Sequence, residues 1–405
     1  MVNAVSFEEA RSLLLEATES VGVETLPLAD CAGRILAQEV VAPYDVPPFD
    51  RSPYDGYAFR AADVADASNE SPITLRVLEE IAAGDISHVP VTAGCAVRIM
   101  TGAPIPDGAD AVVMYEKTVF TDDTVTLFAP AKPGQNIVFA GEDVRAGATL
   151  VEAGSVIDAA TLGAIASQGI AFLTVYRKPR VGIVSTGSEL TEPGCAPEAG
   201  KIYNSNRYTL TALLEQVGCE PVYLGFAHDT VEAVVALIRE GMATCDAVVL
   251  TGGVSVGDFD FTPAAMEACG VKVLFRGVDI KPGMACCYGS ADGTLICGLS
   301  GNPASSLTNY FVVALPALKK LCGRARCLPE EVTVTLLDGF GKKSPTTRLL
   351  RGSLDLSDGE VRMALSPEQG NVVLSSTMGA NVMAIVPAGS GPVAAGAKLR
   401  GFILS

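Results

Sequence analysis

The sequence has no tryptophan, only two histidines (His88 and His228), and no Cys-x-x-Cys pair among its 11 cysteines. A structural zinc site needs clustered Cys and His, and a secreted disulfide frame needs an even cysteine set, so neither organises this chain. No run of about 18 apolar residues occurs, which removes a membrane-spanning helix. Positive charge is also scarce: 29 Lys and Arg face 46 Asp and Glu, a formal charge of −17. A broad basic face for nucleic acid or anionic lipid is thereby excluded, and any anionic ligand must meet a local cationic pocket. Met1 to Ala17 carries Glu8, Glu9 and Arg11 where a signal peptide needs an apolar core, so a soluble, cytoplasmic protein is expected. The adjacent Cys286 and Cys287 then read as reduced strand residues in a small-residue core.

What is present is a chain of 405 residues, 49% hydrophobic and 19% charged, the balance of a compact multidomain enzyme. Ser6-Phe7-Glu8-Glu9 is a capping box, and Phe7, Ala10 and Leu14 then share a helix face. From Pro43 to about Gly147 short β-like runs (Ile73–Leu78, Val97–Met100, Ala111–Tyr115, Val125–Phe128) alternate with Pro and Gly turns. A helix over Asp158–Gln168 closes this part. From Arg180 strands (Val181–Ser185, Pro221–Phe226, Ala247–Thr251, Lys272–Phe275, Thr294–Leu299) alternate with helices (Ser205–Val217, Thr230–Ala243, Thr262–Cys269, Ala304–Leu321). That spacing predicts a doubly wound parallel sheet, with ligands at the carboxyl ends of its strands. Beyond Cys327 the helical period gives way to strand alternation, with Asp358-Gly359 at a hairpin. The expected domains are 1–177, carrying an inserted β-rich lobe at about 44–147, then 178–326 and 327–405.

Loops Ser185–Glu189, Thr251–Asp260 and Leu299–Pro303 converge in that scheme. In Thr251-Gly252-Gly253-Val254-Ser255-Val256-Gly257-Asp258 three glycines let backbone N–H groups approach a phosphate, although a glycine-rich turn is also a common structural device. It lacks the lysine of a P-loop and the spacing of a dinucleotide fingerprint. Glu189, Asp229, Asp258 and Asp260 bring carboxylates to the same edge, where a hard cation such as Mg2+ would relieve their repulsion. Asp229 precedes Thr230-Val231-Glu232 and reads equally well as a helix N-cap. Lys281-Pro282-Gly283 sets a cation on a rigid turn, and Leu299-Ser300-Gly301-Asn302-Pro303 opens a helix. In the N-terminal lobe Pro47 to Ala58, Arg98 to Pro104 and Gly141-Glu142-Asp143 are polar turns without a structural motive in the sequence.

Taken in order, these seven motifs resemble the molybdopterin molybdenumtransferase family, known as MoeA in bacteria and as the E domain of gephyrin in animals, over essentially the whole chain. The resemblance implies an α/β multidomain fold: a central doubly wound molybdopterin-binding domain, an N-terminal helical part with an inserted β-rich lobe, and a small C-terminal β-barrel. It implies insertion of molybdate into adenylylated molybdopterin, with Mg2+ and release of AMP, by a homodimer whose site is shared between subunits. Carried over by motif, Asp55, Thr101, Asp143, Glu189, Asp229 and Asp260 would be catalytic, with Glu189, Asp229 and Asp260 holding Mg2+. Thr186, Gly187, Gly252, Gly253, Ser255, Gly257 and Asp258 would cradle the pterin phosphates, with Asn302 and Pro303 in the adjoining turn. Lys281, Pro282, Gly283, Ser305 and Arg351 would hold the oxyanion.

Four positions depart from the family pattern. Met284-Ala285 follows Lys281-Pro282-Gly283 where the family commonly has Lys-Pro, Ser300 replaces a proline, and Asn371 stands where a serine is expected. The carboxylates are intact, so the altered side is the oxyanion pocket. Two other readings follow: a non-catalytic or tungstate-using molybdopterin-binding paralogue, and a nucleotide or amide hydrolase built on the same central domain. The second of these has no need of the Pro47–Ala58 lobe.

Overall fold

A computed structural model describes residues 4–196, 198–254, 261–357 and 359–404. The chain divides into two compact units, one of residues 39–152 and 158–172, the other of residues 1–38, 153–157 and 173–405. The expected strands of the β-rich lobe are found in the smaller unit, whose six-stranded sheet runs Ala111–Met114, Gly56–Phe59, Cys95–Ile99, Ile73–Ile81, Thr124–Leu127, Thr118–Phe120. Gly56–Phe59 was not evident from alternation, because all four of its residues are buried. Gly56 sits so close to the neighbouring strand that a Cβ would lie 1.9 Å from the Val113 carbonyl oxygen. Tyr57, Phe59, Leu75 and Val125 form the core of this lobe. Its loops are stitched by backbone bonds from Arg51 to Val138, Ser52 to Ala103, and Gly141 to Pro47. The helix Ala159–Ser167 belongs to the same unit and is capped by Asp158, which accepts from the Thr161 N–H.

In the larger unit the helix Phe7–Glu16 begins as its capping box predicts, with Ser6 accepting from the Glu9 N–H. It buries Phe7, Ala10 and Leu14 in the core cluster that also contains Val181, Val249 and Leu318. Burial of Phe7 and Leu14 contributes roughly 1.5–3 kcal/mol each. The expected helix over Ala304–Leu321 is also present, but it widens into a π turn over Tyr310–Ala314 between Pro303–Asn309 and Leu315–Leu321. Pro316 has no N–H to offer the Val312 carbonyl, and Arg11 Nε donates to that oxygen at 2.5 Å.

The central sheet has the strand order Glu220–Ala227, Arg180–Thr186, Ala247–Thr251, Thr294–Leu299, Cys287–Ala291, Lys272–Arg276. Neighbours among the first four are parallel. Ser185, Thr251 and Leu299 lie in register, so the loops that follow these strands open at one edge. Helix Ser205–Val217 covers one face, while Val231–Thr244 and Phe261–Ala268 pack on the other. The strand Cys287–Ala291 is antiparallel to both its neighbours, so this end of the sheet is mixed. It joins Thr294–Leu299 through Asp292 and Gly293, both at positive φ, a two-residue turn whose twist suits a hairpin.

Five strands close the C-terminal barrel: Glu331–Leu336, Thr347–Asp355, Arg362–Leu365, Val382–Val386 and Lys398–Ile403. Val334, Leu336, Leu350, Met363 and Ala384 pack in its core. The short strand Ile280–Lys281 adds to Thr347–Asp355 in parallel, pairing Ile280 with Thr347 and Lys281 with Arg348. Among the described residues no helix is long and apolar enough to cross a membrane.

Candidate functional site

Two cavities adjoin at the carboxyl edge of the central sheet, sharing Ala285, Ser300 and Asn302 in their walls. The first, about 510 Å3, lies where the barrel meets the Lys281 loop and carries Lys281, Lys342 and Arg348, with no carboxylate among the described residues of its lining. The second, about 860 Å3, carries Glu189 and Asp229 and, among the described residues, no Lys or Arg. A chain of charge −17 therefore does concentrate cations locally.

In the cationic cavity the turn after Lys281 is held from below. Asn309 donates from Nδ2 to the Gly283 carbonyl at 2.5 Å and accepts at Oδ1 from the buried Tyr288 hydroxyl at 2.5 Å. Gly283 has φ +102, a conformation that favours glycine. Ser305 donates its backbone N–H to the Asn371 carbonyl, which joins the first turn of its helix to the barrel loop. Met284 is 48% exposed and contributes a thioether where a cation was expected.

Arg351 is a correction to the sequence expectation. Its side chain is 1% exposed and does not line the cavity. Nη2 donates to the carbonyls of Glu368 and Gly370 and to the Ser376 hydroxyl, and burial lowers the guanidinium pKa. Arg348 and Arg351 are three residues apart on one strand and so point to opposite faces, and Arg348 is the one in the cavity wall. Arg351 instead fastens the loop whose Gln369, Gly370 and Asn371 complete that wall.

The second cavity is built on close backbone packing. Thr186 donates its hydroxyl to the Thr251 carbonyl at 3.0 Å, and Thr262 donates to the Gly252 carbonyl at 3.1 Å. Gly252 has φ +98, and a Cβ there would lie 2.4 Å from Thr186 Oγ1. Asp229 is not the helix cap, since Thr230 fills that place by accepting from the Ala233 N–H. Asp229 Oδ2 instead accepts from the Ser188 N–H at 2.9 Å and from the Ser188 hydroxyl, which leaves Oδ1 for another partner. Gly187 and Glu189 line the same wall, as do Gly253, Asn302 and Pro303. Ser255, Gly257, Asp258 and Asp260 lie outside the described residues. Among the described residues no three His, Cys, Asp or Glu side chains gather as a metal site.

Asp55, Thr101 and Asp143 belong to the smaller unit. Asp55 Oδ1 accepts from both the hydroxyl and the N–H of Thr101 at 2.7 Å, and these bonds hold its carboxyl below the ordinary range. Asp143 is exposed on the neighbouring loop, its N–H bonded to the Val46 carbonyl. Lys342, Arg348, Gln369 and Ser188 were missed from sequence. The signal for Arg348 was its place on a strand edge, which becomes visible only once Ile280–Lys281 is known to pair with it.

Three family models match in chain order: the MoeA N-terminal region (domain I and II) at residues 5–169, a probable molybdopterin binding domain at 182–320, and the MoeA C-terminal region (domain IV) at 333–400. A molybdopterin molybdenumtransferase of Staphylococcus aureus strain Mu50 is 36% identical over 388 residues, covering 96% of this chain and 93% of the relative. The enzyme of that name from Staphylococcus epidermidis RP62A is 36% identical over 386 residues, covering 95% and 92%. Among solved structures, the molybdopterin biosynthesis moeA protein of Pyrococcus horikoshii OT3 superposes with a TM-score of 0.86 at 31% identity, covering 99% of this chain and 100% of that one.

Proposed function

The chain belongs to the MoeA family of molybdenum cofactor biosynthesis enzymes, and from that premise we propose that it inserts molybdate into adenylylated molybdopterin, with Mg2+ and release of AMP, in the cytoplasm. The observation that carries this reading is the pair of adjoining cavities of opposite character. The oxyanion is assigned to the Lys281 cavity, and the pterin with its phosphates to the glycine-lined one.

Glu189 and Asp229 fit a Mg2+ ion as hard oxygen donors in a wall whose described residues offer them no counter-charge, with Asp260 as the expected third. The ion, when bound, supplies positive charge to the phosphoanhydride. Asp229 also fixes the Ser188 loop, and the glycine turn lets backbone approach the phosphates. Anhydride cleavage needs positioning and charge neutralisation more than covalent help from protein, and these residue types suit that work. The metal is received by the dithiolene sulfurs of the substrate, so the absence of a His/Cys cluster is no obstacle. The proposal includes a homodimer in which Asp55, Thr101 and Asp143 serve a second copy.

The test is AMP release and metal content with adenylylated molybdopterin, Mg2+ and either molybdate or tungstate, with Asp55→Ala and Glu189→Ala as controls. AMP formation that depends on both carboxylates is expected, and none above background overturns the reading. Met284 favours a second reading, a tungstate-using or non-catalytic paralogue. Metal insertion with tungstate alone, or pterin binding without AMP release, would select it. Full turnover by a species that sediments as a monomer would remove the homodimer.

A further inference from the structure

We propose that Tyr115, held in place by Arg98, is a positioning residue for the reaction and fixes the direction in which Asp55 meets the substrate. The inference rests on the catalytic role given to Asp55 above and deepens it, because it names what keeps that carboxylate in place.

Asp55 is exposed on the turn that leads into strand Gly56–Phe59. That strand lies between Cys95–Ile99 and Ala111–Met114, and the chain beyond each neighbour supplies a residue that holds Asp55. Thr101, after the first, donates its hydroxyl and its N–H to the carboxylate at 2.7 Å. Tyr115, after the second, donates its N–H to the Asp55 carbonyl at 3.3 Å. Arg98 ties the two sides together. It is the register partner of Tyr57, so its side chain starts on the face that Tyr57 shares, and its Nε donates to the Tyr115 hydroxyl at 2.6 Å. The gap is two strand spacings, about 10 Å, which takes two long side chains to span. The Tyr115 hydroxyl in turn donates to Met100 Sδ at 3.5 Å, one residue before Thr101. Arg98 Cζ also lies 5.0 Å from the Tyr115 ring centroid and 5.7 Å from that of Phe120, while Nη1 pairs with Glu80 Oε2 at 3.0 Å. Tyr57 and Phe120 each approach the Tyr115 ring at 5.5 Å between centroids. Packing of this kind places a ring, and a charged donor aimed at its hydroxyl also sets its direction, with about twice the strength of a neutral bond. An exposed carboxylate has little packing of its own, so its geometry depends on these bonds, and a misplacement of about 1 Å can cost roughly a hundredfold in rate. Arg98 thereby acquires a purpose that its motif in the sequence left open.

The experiment uses the full chain and three readouts: AMP release against molybdate, the pH midpoint of the Asp55 carboxyl carbon by NMR, and the urea midpoint. Tyr115→Phe keeps the ring and the backbone N–H and removes the bond from Arg98. It is expected to lower kcat by roughly tenfold, part of the loss that a full 1 Å displacement brings, with little change in KM for molybdate. The Asp55 midpoint, held down by the two Thr101 bonds, should move up towards the ordinary carboxylate value as those bonds loosen. Arg98→Met should act in the same direction, and Arg98→Lys should recover part of the activity, since an ammonium reaches the hydroxyl without the planar fork. If Tyr115→Phe and Arg98→Met lower the urea midpoint while kcat and the Asp55 midpoint keep their wild-type values, the cluster only stabilises the lobe and the inference is wrong. A fall in kcat with an unmoved Asp55 midpoint overturns it as well, because the effect then bypasses Asp55. If Asp55→Ala itself leaves AMP release intact, the catalytic role of Asp55 fails, a result that does not depend on either variant of the brace.

Discussion

Lys281 and Arg348 stand side by side across the strand pair that joins the Lys281 loop to the barrel. Both side chains line the same cavity, whose described lining residues include no carboxylate. Cationic capacity for the site comes from two parts of the chain that are far apart in sequence, which a search for a contiguous basic motif would not find.

Met284 tests how far that capacity is saturated. Its side chain lines the same cavity and is 48% exposed, so a lysine there can reach solvent or ligand without burying its charge. Met284→Lys is expected to lower the half-saturating oxyanion concentration by about tenfold, the lower end for one added charge-assisted bond, because the existing cations also repel the newcomer. Saturation curves for AMP release against molybdate and tungstate check this. An unchanged curve would show that the pocket is already charge-sufficient.

Gly252 tests the second cavity. Alanine there would place Cβ 2.4 Å from Thr186 Oγ1 and 2.7 Å from the Thr186 carbonyl, at φ +98. Neither atom can yield easily, since the hydroxyl is bonded to the Thr251 carbonyl. Gly252→Ala is expected to cost about 2 kcal/mol or more in stability and to weaken pterin binding, read by urea unfolding and by fluorescence titration of the pterin. Unaltered stability and affinity together would mean that the loop has room to move.

The central sheet was legible because its parallel strands are buried on both faces and so read as apolar runs between helical periods. Cys286 and Cys287 read as strand residues, but the extent and antiparallel direction of Cys287–Ala291 were not legible, since Cys-Tyr-Gly-Ser-Ala is short of branched residues and its pairing depends on the Asp292-Gly293 turn. The carboxylates of the site were visible by type, while their partners were not. Asp229 and Thr230 are both competent caps, and only packing decides that Thr230 caps and Asp229 holds Ser188. The same holds for Arg348 and Arg351: alternation says that they face opposite ways, and the third dimension says which way the cavity lies.

Asp55 offers a prediction about pH. Two bonds from Thr101 stabilise its ionised form and depress its pKa below the usual 3.8. Thr101→Val removes the hydroxyl and keeps the backbone donor, so the pKa should rise towards the ordinary value. A depressed folded-state pKa contributes stability above the unfolded pKa that is lost as pH falls through the folded one, so the window lies below about pH 4. A carboxyl-carbon NMR titration of wild type and variant reads the shift directly. Identical titration midpoints would mean that the hydroxyl bond is not populated in solution.

Asp246 lies far from the cavities and sets the edge from which the sheet grows. It accepts from Arg177 at both carboxylate oxygens and from the Arg180 N–H at 2.8 Å. Its own N–H donates to the Arg180 carbonyl, and its carbonyl receives the Leu295 N–H. One residue thus ties together the starts of three neighbouring strands. Burial alone would raise its pKa, but the Arg177 and Arg180 bonds outweigh that and lower it. Its contribution should be complete above about pH 4 and fall away as pH drops through the depressed folded value. Asp246→Asn keeps the shape and removes the charge. It should lower stability at pH 7 by about 1–2 kcal/mol, discounted because the Arg177 side chain is 41% exposed. Near pH 3 the wild type has lost part of its own advantage, so urea midpoints of the two proteins should converge. A gap of the same size at both pH values would show that the carboxylate acts through packing and hydrogen-bond geometry, with no part played by its charge.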